Sequence, residues 1–210
     1  MVVDKLNFFT KLLGSFGGRY IFNTAQKINL YTCGLIVQET MKIFMDIYGD
    51  YEIGIEEFNE ALATGVKEMI ADMLDQSYLF GKGLGDIVSR TPSDSCSAIE
   101  IGFWALMGKE SKQLIEKPIW VPFEQPNEYI GKLVVGIKRC PFCFGMDKNI
   151  ESKLTKVHYG DFFAIMIGGI LQEIMEYVGN DFEMISKETK CFMRGDEKGE
   201  LTIYFKQRKN

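Results

Sequence analysis

Two cysteines lie three positions apart in the motif CPFC at residues 140–143. Thiol groups at this spacing can bind one metal ion or form a redox pair. A closed zinc site needs four ligands, and a mixed sulfur and nitrogen donor set favours zinc over iron. The predicted zinc ligands are Cys140, Cys143, Cys191 and the only histidine, His158. The alternative is that they are reduced thiols and an unliganded imidazole.

A redox function for the same motif is the weaker alternative. In thioredoxin-like proteins the cysteine pair caps a helix, and the helix dipole lowers the thiol pKa. Residues 146–149, which follow the motif here, show little helical periodicity. The sequence therefore favours a metal-binding pair over a dithiol catalyst.

No combination of residues predicts a catalytic centre. There is one histidine, no Gly-x-Ser-x-Gly motif and no dinucleotide fingerprint. The glycines at 81–85 lack the Gly-Lys-Ser/Thr of a phosphate-binding loop, so this segment is predicted to be a turn. Acidic pairs such as Glu173 and Glu176 are typical of solvated helix faces. The sequence therefore favours a binding module over a self-sufficient enzyme.

A helix predicted over residues 160–178 is apolar around most of its circumference. Such a helix must be buried, and the adjacent glycines Gly168 and Gly169 would let a backbone or a ligand approach it closely. We predict an apolar ligand pocket beside it, because ligand sites are mostly apolar with few polar groups. The predicted pocket residues are Phe162, Phe163, Met166, Ile170 and Met175. The alternative is that these side chains only form core.

The remaining elements follow from periodicity and turn residues. Helices are predicted over 5–13, over 20–48 as one helix or two joined ones, over 55–74, and from a cap at Ser93 or Ser95 to about residue 107. Strands are predicted over 119–123, 129–137, 182–194 and 201–206. This order predicts an α+β fold, with helices packed on a twisted antiparallel sheet and a late buried apolar helix. Residues 1–210 are predicted to form a single domain, with a helical part at 1–80 and the sheet and buried helix at 81–210.

Composition excludes some classes of protein. Of the 210 residues, 46% are hydrophobic and 25% are charged, and the net charge of −5 argues against non-specific binding to nucleic acid. The N-terminus lacks the pattern of a signal peptide, and the apolar segment 162–171 is too short to span a bilayer. We therefore expect a cytoplasmic protein whose five cysteines are reduced.

The region from about residue 138 to residue 205 resembles the 4-vinyl reductase domain family, whose fold is shared by TRAPP vesicle-tethering subunits. The matching features are the cysteine pair, an apolar helix with spaced glycines, a Glu-x-x-Cys strand and a Gly-Asp turn. In this chain they are Cys140 and Cys143, Gly168 and Gly179, Glu188 and Cys191, and Gly195 and Asp196. Gly199 replaces the family's turn cysteine, and Phe163 stands where a helix cysteine is often found.

The resemblance implies a domain that binds a small apolar or aromatic ligand, as a sensor or accessory protein. One alternative is an enzyme or enzyme accessory in tetrapyrrole-type reduction, and another is a TRAPP-like protein-interaction subunit. A homodimer is expected because related domains commonly pair, and a stand-alone sensor would need a protein partner for signalling. The zinc site of cysteine-rich members matches only at Cys140, Cys143 and Cys191, so His158 would be an unusual fourth ligand.

Overall fold

The computed structural model describes residues 30–75, 77–79, 82–83, 89–124 and 128–208. The helix predicted at 5–13 and the first ten residues of the helix predicted at 20–48 lie outside this part of the chain. No helix among the described residues is long and apolar enough to cross a membrane. The assignment of residues 1–210 to one domain stays a prediction.

Two long helices precede the sheet. Helix α1 spans Leu30–Tyr48 and helix α2 spans Tyr51–Asp75, with Gly49 between them at φ 66°. Helix α2 begins four residues before the predicted start at residue 55. The reason is the Asp50 side chain, whose Oδ1 accepts hydrogen bonds from the backbone N–H groups of Glu52 (2.8 Å) and Ile53 (3.0 Å). This cap satisfies free donors of the first turn and extends the helix.

Short elements connect these helices to the sheet. Strands β1 (Ser77–Leu79) and β2 (Lys82–Gly83) pair with each other, so part of the glycine-rich segment predicted as a turn is extended. Helix α3 covers Ser95–Met107, as predicted, and helix α4 covers Ser111–Leu114.

The main sheet has four antiparallel strands in the order β3-β4-β6-β5. Their bounds are Ile119–Pro122 for β3, Tyr129–Ile137 for β4, Phe182–Lys190 for β5 and Gly199–Gln207 for β6. The strand predicted to continue to residue 194 ends at Lys190. A 3-10 turn at Phe192–Arg194 replaces its last residues, because the Asp196 carboxylate accepts the Cys191 N–H at 2.7 Å.

Helix α5, Asp161–Tyr177, lies across the sheet and against α2. Gly168 packs against the Ser186 hydroxyl of β5, and Gly169 packs against Val66 of α2. Neighbouring elements therefore occupy the space beside the two glycines. The buried residues of α5 are Phe162, Phe163, Ala164, Ile167, Gly168, Leu171 and Met175. The predicted α+β fold, with helices on an antiparallel sheet and a late buried helix, is confirmed.

Candidate functional site

Three cysteine thiols meet at one end of the sheet. The Sγ atoms of Cys140 and Cys143 are 2.8 Å apart, and Cys143 is also hydrogen-bonded to Cys191. Strands β4 and β5, which precede these residues, are not neighbours, because β6 lies between them. Both strands nevertheless end beside the first residues of β6, which brings the three side chains together.

A buried carboxyl group completes this cluster. Glu188 of β5 is 7% exposed and is hydrogen-bonded to Cys191, while its Oε2 has no hydrogen-bond partner among the protein atoms. Its carboxyl group lies against Gly160, where any Cβ would overlap it. We call Cys140, Cys143, Cys191 and Glu188 the thiol cluster. An unpaired buried carboxyl oxygen is unusual and calls for a ligand, a metal or a proton.

His158 belongs to a different set of contacts. Its Nδ1 lies 2.8 Å from Oε1 of the buried Glu151, and its backbone N–H donates to Asp161 at 2.8 Å. Its side chain is 43% exposed. His158 is therefore in contact with two carboxylates and not with the thiols, whereas Glu188 is in contact with the thiols. The sequence indicates Glu188 only as part of the Glu-x-x-Cys motif and does not predict it as a ligand.

The pKa values of the groups in the thiol cluster are shifted in different directions. Burial, reinforced by the neighbouring Cys191, raises the pKa of Glu188 to about 10. Hydrogen bonds from Cys143 and then Glu188 lower the pKa of Cys191 to about 6, against the effect of burial. The pKa of Cys143 is raised, because its hydrogen bonds with Cys140 and Cys191 favour the protonated thiol. The surroundings therefore favour the thiolate form of Cys191 and the protonated form of Glu188.

The segment that carries Cys140 and Cys143 is fixed to helix α1. The buried Gln38 side chain, 4% exposed, donates to the carbonyl oxygens of Phe142 (2.8 Å) and Phe144 (3.0 Å). The Tyr159 hydroxyl donates to the same Phe142 oxygen at 3.1 Å. At Gly34 a Cβ would lie 2.6 Å from the carbonyl oxygen of Pro141. Helix α1 thus recognises the backbone of this segment, a role that the sequence pattern did not reveal.

The cluster does not have metal-binding geometry as it stands. Among the described residues, no group of three or more histidine, cysteine, aspartate or glutamate side chains is arranged to hold a metal ion. Two sulfurs on one tetrahedral zinc, each bonded at about 2.3 Å, lie roughly 3.7 Å apart. The 2.8 Å between Cys140 and Cys143 is shorter than that. Zinc binding would require the two side chains to separate, and the zinc site stays a prediction.

The five predicted pocket residues pack in two hydrophobic clusters. Phe162, Phe163 and Met175 belong to the main core, while Ile170 packs with a second cluster on α2. A cavity of about 10 Å³ is lined by Phe163 but by none of the other four. Its lining residues are Phe103, Met107, Leu114, Ile115, Ile137, Arg139, Pro141, Phe142 and Phe163. This volume holds at most about one water molecule. The ligand pocket therefore stays a prediction.

The outer face of α1 carries an apolar stripe. Ile36, Ile43 and Ile47 are 58%, 55% and 71% exposed, and Thr40 lies between the first two. We call Ile36, Thr40, Ile43 and Ile47 the outer stripe. Their spacing of four, three and four residues is that of a coiled-coil seam, and they lie opposite the buried residues Gln38 and Met41.

Comparisons with known proteins assign no family. No family model matches the chain, and no curated protein matches it. One similar solved structure is a trafficking protein particle complex subunit 3 from Naegleria fowleri, covalently bound to palmitic acid. The two share 14% identity over 84% of this chain and 96% of that one, with a TM-score of 0.44. Membership of the 4-vinyl reductase family stays a prediction.

Proposed function

We propose that this chain is a protein-interaction subunit that pairs with a second copy through the outer stripe of α1. The observation that carries the proposal is the stripe itself. Single exposed apolar residues are ordinary, but three isoleucines aligned along one helix face form a surface that a partner would cover. The stripe extends about 16 Å along the helix.

The spacing of the stripe suits a copy of the same chain. Positions 36 and 47, and positions 40 and 43, are symmetric about the midpoint between residues 41 and 42. A two-fold axis at that midpoint would place two α1 helices antiparallel, with Ile36 of one copy beside Ile47 of the other. A two-fold interface must be self-complementary in this way.

Charge beside the stripe agrees with the antiparallel arrangement. Within one chain, Lys42 Nζ lies 2.6 Å from Glu39 Oε1. In the two-fold pair, Lys42 of one copy falls about 3 Å along the helix axis from the level of Glu39 of the second copy. Each lysine would then lie between two glutamates, one from each copy. Such flanking pairs contribute to partner choice and orientation in coiled coils.

Sedimentation across a range of concentrations tests this proposal. We expect the unaltered chain to form a dimer, and Ile43→Lys to weaken association at least tenfold, or about 1.4 kcal/mol, by burying a charge in the seam. Met69→Lys is the matched control, since Met69 is 50% exposed on α2 and lies outside the outer stripe. A monomeric unaltered chain, or equal weakening by both variants, would contradict the proposal.

We also propose a structural zinc ion at the thiol cluster, on a separate observation. Three thiols and the unpaired Oε2 of buried Glu188 supply four donors of the types that zinc accepts. Bound zinc would displace the protons of Cys143 and Glu188 and would join the ends of β4 and β5. Four protein ligands leave no position for water, which marks a structural role.

Elemental analysis of chain purified without chelator or metal-affinity resin tests the zinc proposal. We expect about one zinc per chain, a loss in Glu188→Gln, and retention in His158→Gln, because His158 contacts Glu151 instead. Cys33→Ser is a further control that should keep its zinc. If His158→Gln loses zinc and Glu188→Gln retains it, the fourth ligand is His158, as predicted from the sequence. Absence of zinc from the unaltered chain would refute both sets.

Ligand binding under α5 and tetrapyrrole-type reduction remain predictions of the resemblance. They differ from the interaction proposal in requiring a small molecule at Phe162, Phe163, Met166, Ile170 or Met175. Native mass spectrometry of the purified chain reports a retained ligand and the number of subunits in one measurement.

A further inference from the structure

We propose that Cys140 and Cys143 form a reversible intramolecular disulfide, which makes the thiol cluster a redox modification site. The oxidant is a low-molecular-weight or protein disulfide. The proposal concerns the same thiols as the zinc proposal but does not require the metal.

The geometry of the pair carries this inference. The two Sγ atoms are 2.8 Å apart, so they need to approach by only about 0.75 Å to reach the roughly 2.05 Å of a disulfide. To bind one zinc ion they would have to separate by about 0.9 Å. The distance between the two Sγ atoms is therefore intermediate between that of a disulfide and that of a zinc-bound pair. Small side-chain rotations would bring the pair to either distance.

Exposure distinguishes the three thiols. Cys140 and Cys143 are residues of intermediate exposure, whereas Cys191 is a fully buried residue. The pair lies in an irregular segment between the end of β4 and the turn at 151–153, where no strand or helix hydrogen bonds need to break. Contacts from Gln38 and Tyr159 hold carbonyl oxygens of this segment and fix the backbone that carries the two thiols.

The chemistry is thiol–disulfide exchange. The Cys140 thiolate attacks one sulfur of the oxidant, forms a mixed disulfide and releases the first thiolate. Cys143 then loses its proton, to solvent or to the Cys191 sulfur to which it is hydrogen-bonded, and attacks the Cys140 sulfur. The second thiolate leaves. The protein thiols lose two electrons, and the disulfide of the oxidant is reduced to two thiolates.

Cys191 has a defined part in this reaction. Its sulfur is hydrogen-bonded to Cys143, the residue is fully buried, and we expect it to stay unoxidised. After oxidation only Cys191 and Glu188 would remain as donors. Two protein ligands are too few for a closed zinc site, so oxidation and zinc binding exclude each other.

Glutathione buffers of graded composition test the proposal on the full chain, stripped of metal by chelator and then reduced. Free thiols are blocked after equilibration, and peptides are mapped by mass spectrometry. We expect a cross-link between Cys140 and Cys143 that increases with the fraction of oxidised glutathione and disappears with dithiothreitol. Cys33→Ser should behave like the unaltered chain.

The variants separate the two steps. In Cys143→Ser the mixed disulfide of Cys140 with glutathione should accumulate, because no second thiol resolves it, while Cys191→Ser should still form the cross-link. An absent cross-link, or one that joins Cys143 to Cys191 instead, would overturn the proposal. Zinc content is measured separately on untreated protein. If the cross-link forms and the untreated protein contains no zinc, the disulfide proposal is supported and the zinc proposal is refuted. If the untreated protein contains zinc and no cross-link forms, the zinc proposal is supported and the disulfide proposal is refuted.

Discussion

The two faces of helix α1 reverse the usual distribution of polar and apolar side chains. The inner face buries a polar amide, Gln38, next to Gly34 and Met41, and uses it to bind carbonyl oxygens of the cysteine segment. The outer face exposes the isoleucines of the outer stripe. The inner face is therefore completed by this chain itself. The outer face has no equivalent partner among the described residues.

The free energy of apolar burial explains why the difference between the two faces of α1 matters for function. Fully burying an isoleucine contributes about 1.5–3 kcal/mol, and the three isoleucines of the outer stripe retain more than half of their exposure. A partner that covers them would recover much of that free energy, less the cost of association. The inner face has already made its contribution within the folded chain. Substitutions on the inner face should therefore alter stability at any protein concentration, and those on the outer face only where chains associate.

The largest expected effect is at Met41, which is fully buried on the inner face. Met41→Ala should lower the free energy of unfolding by about 2–5 kcal/mol, because it removes buried methylene groups and leaves a cavity. Urea denaturation at low protein concentration measures this. The control Met69→Ala, at a half-exposed position on α2, should change it by less than about 0.5 kcal/mol. Similar values for both would show that the inner face is not well packed.

The next effect concerns the close approach at Gly34. Gly34→Ala should destabilise by about 1–3 kcal/mol, since the new Cβ would lie 2.6 Å from the Pro141 carbonyl oxygen. The same change at Gly65 of α2 meets no atom within 4 Å and should stabilise by about 0.5–1 kcal/mol, through helix propensity. Opposite signs in thermal unfolding are the expected result, and a stabilised Gly34→Ala would contradict the contact.

A somewhat smaller effect is expected at Gln38. Gln38→Leu keeps a similar shape but leaves the Phe142 and Phe144 carbonyl oxygens without this donor, which should cost about 1–3 kcal/mol. Phe142 O keeps its bond from Tyr159, so the loss should lie toward the lower end. Gln113→Leu, at an exposed position of α4, is the control for the change of residue type. Equal stability of the two variants would show that the amide does not anchor the segment.

Sequence patterns predicted the elements better than their contacts. The bounds of strand β4 match the β-rich run at 129–137, and helix α3 ends at Met107, close to its predicted end. The N-cap of α3 is Asp94 and not a serine. The role of Gln38 could not be predicted, since it depends on a segment more than 100 residues away. The sequence indicates His158 as a ligand only by its residue type and by its position just before the buried helix, in the same third of the chain as the cysteines. Glu188 is three residues before Cys191, but only the fold shows that its side chain lies against Gly160, beside the thiols.

The smallest expected effect, at Ile43, distinguishes the two faces most sharply. Ile43→Ser removes an apolar side chain that is 55% exposed, so the stability of the monomer should change by less than about 0.5 kcal/mol. If a second copy covers the outer stripe, thermal stability of the unaltered chain rises with protein concentration, because association stabilises the folded state by mass action. Ile43→Ser should match the unaltered chain at the lowest concentration and fall below it as concentration increases. Thermal unfolding of both at several concentrations measures the divergence. Parallel curves with a constant offset would mean that Ile43 contributes only within the chain, and curves that coincide at every concentration would mean that nothing covers it.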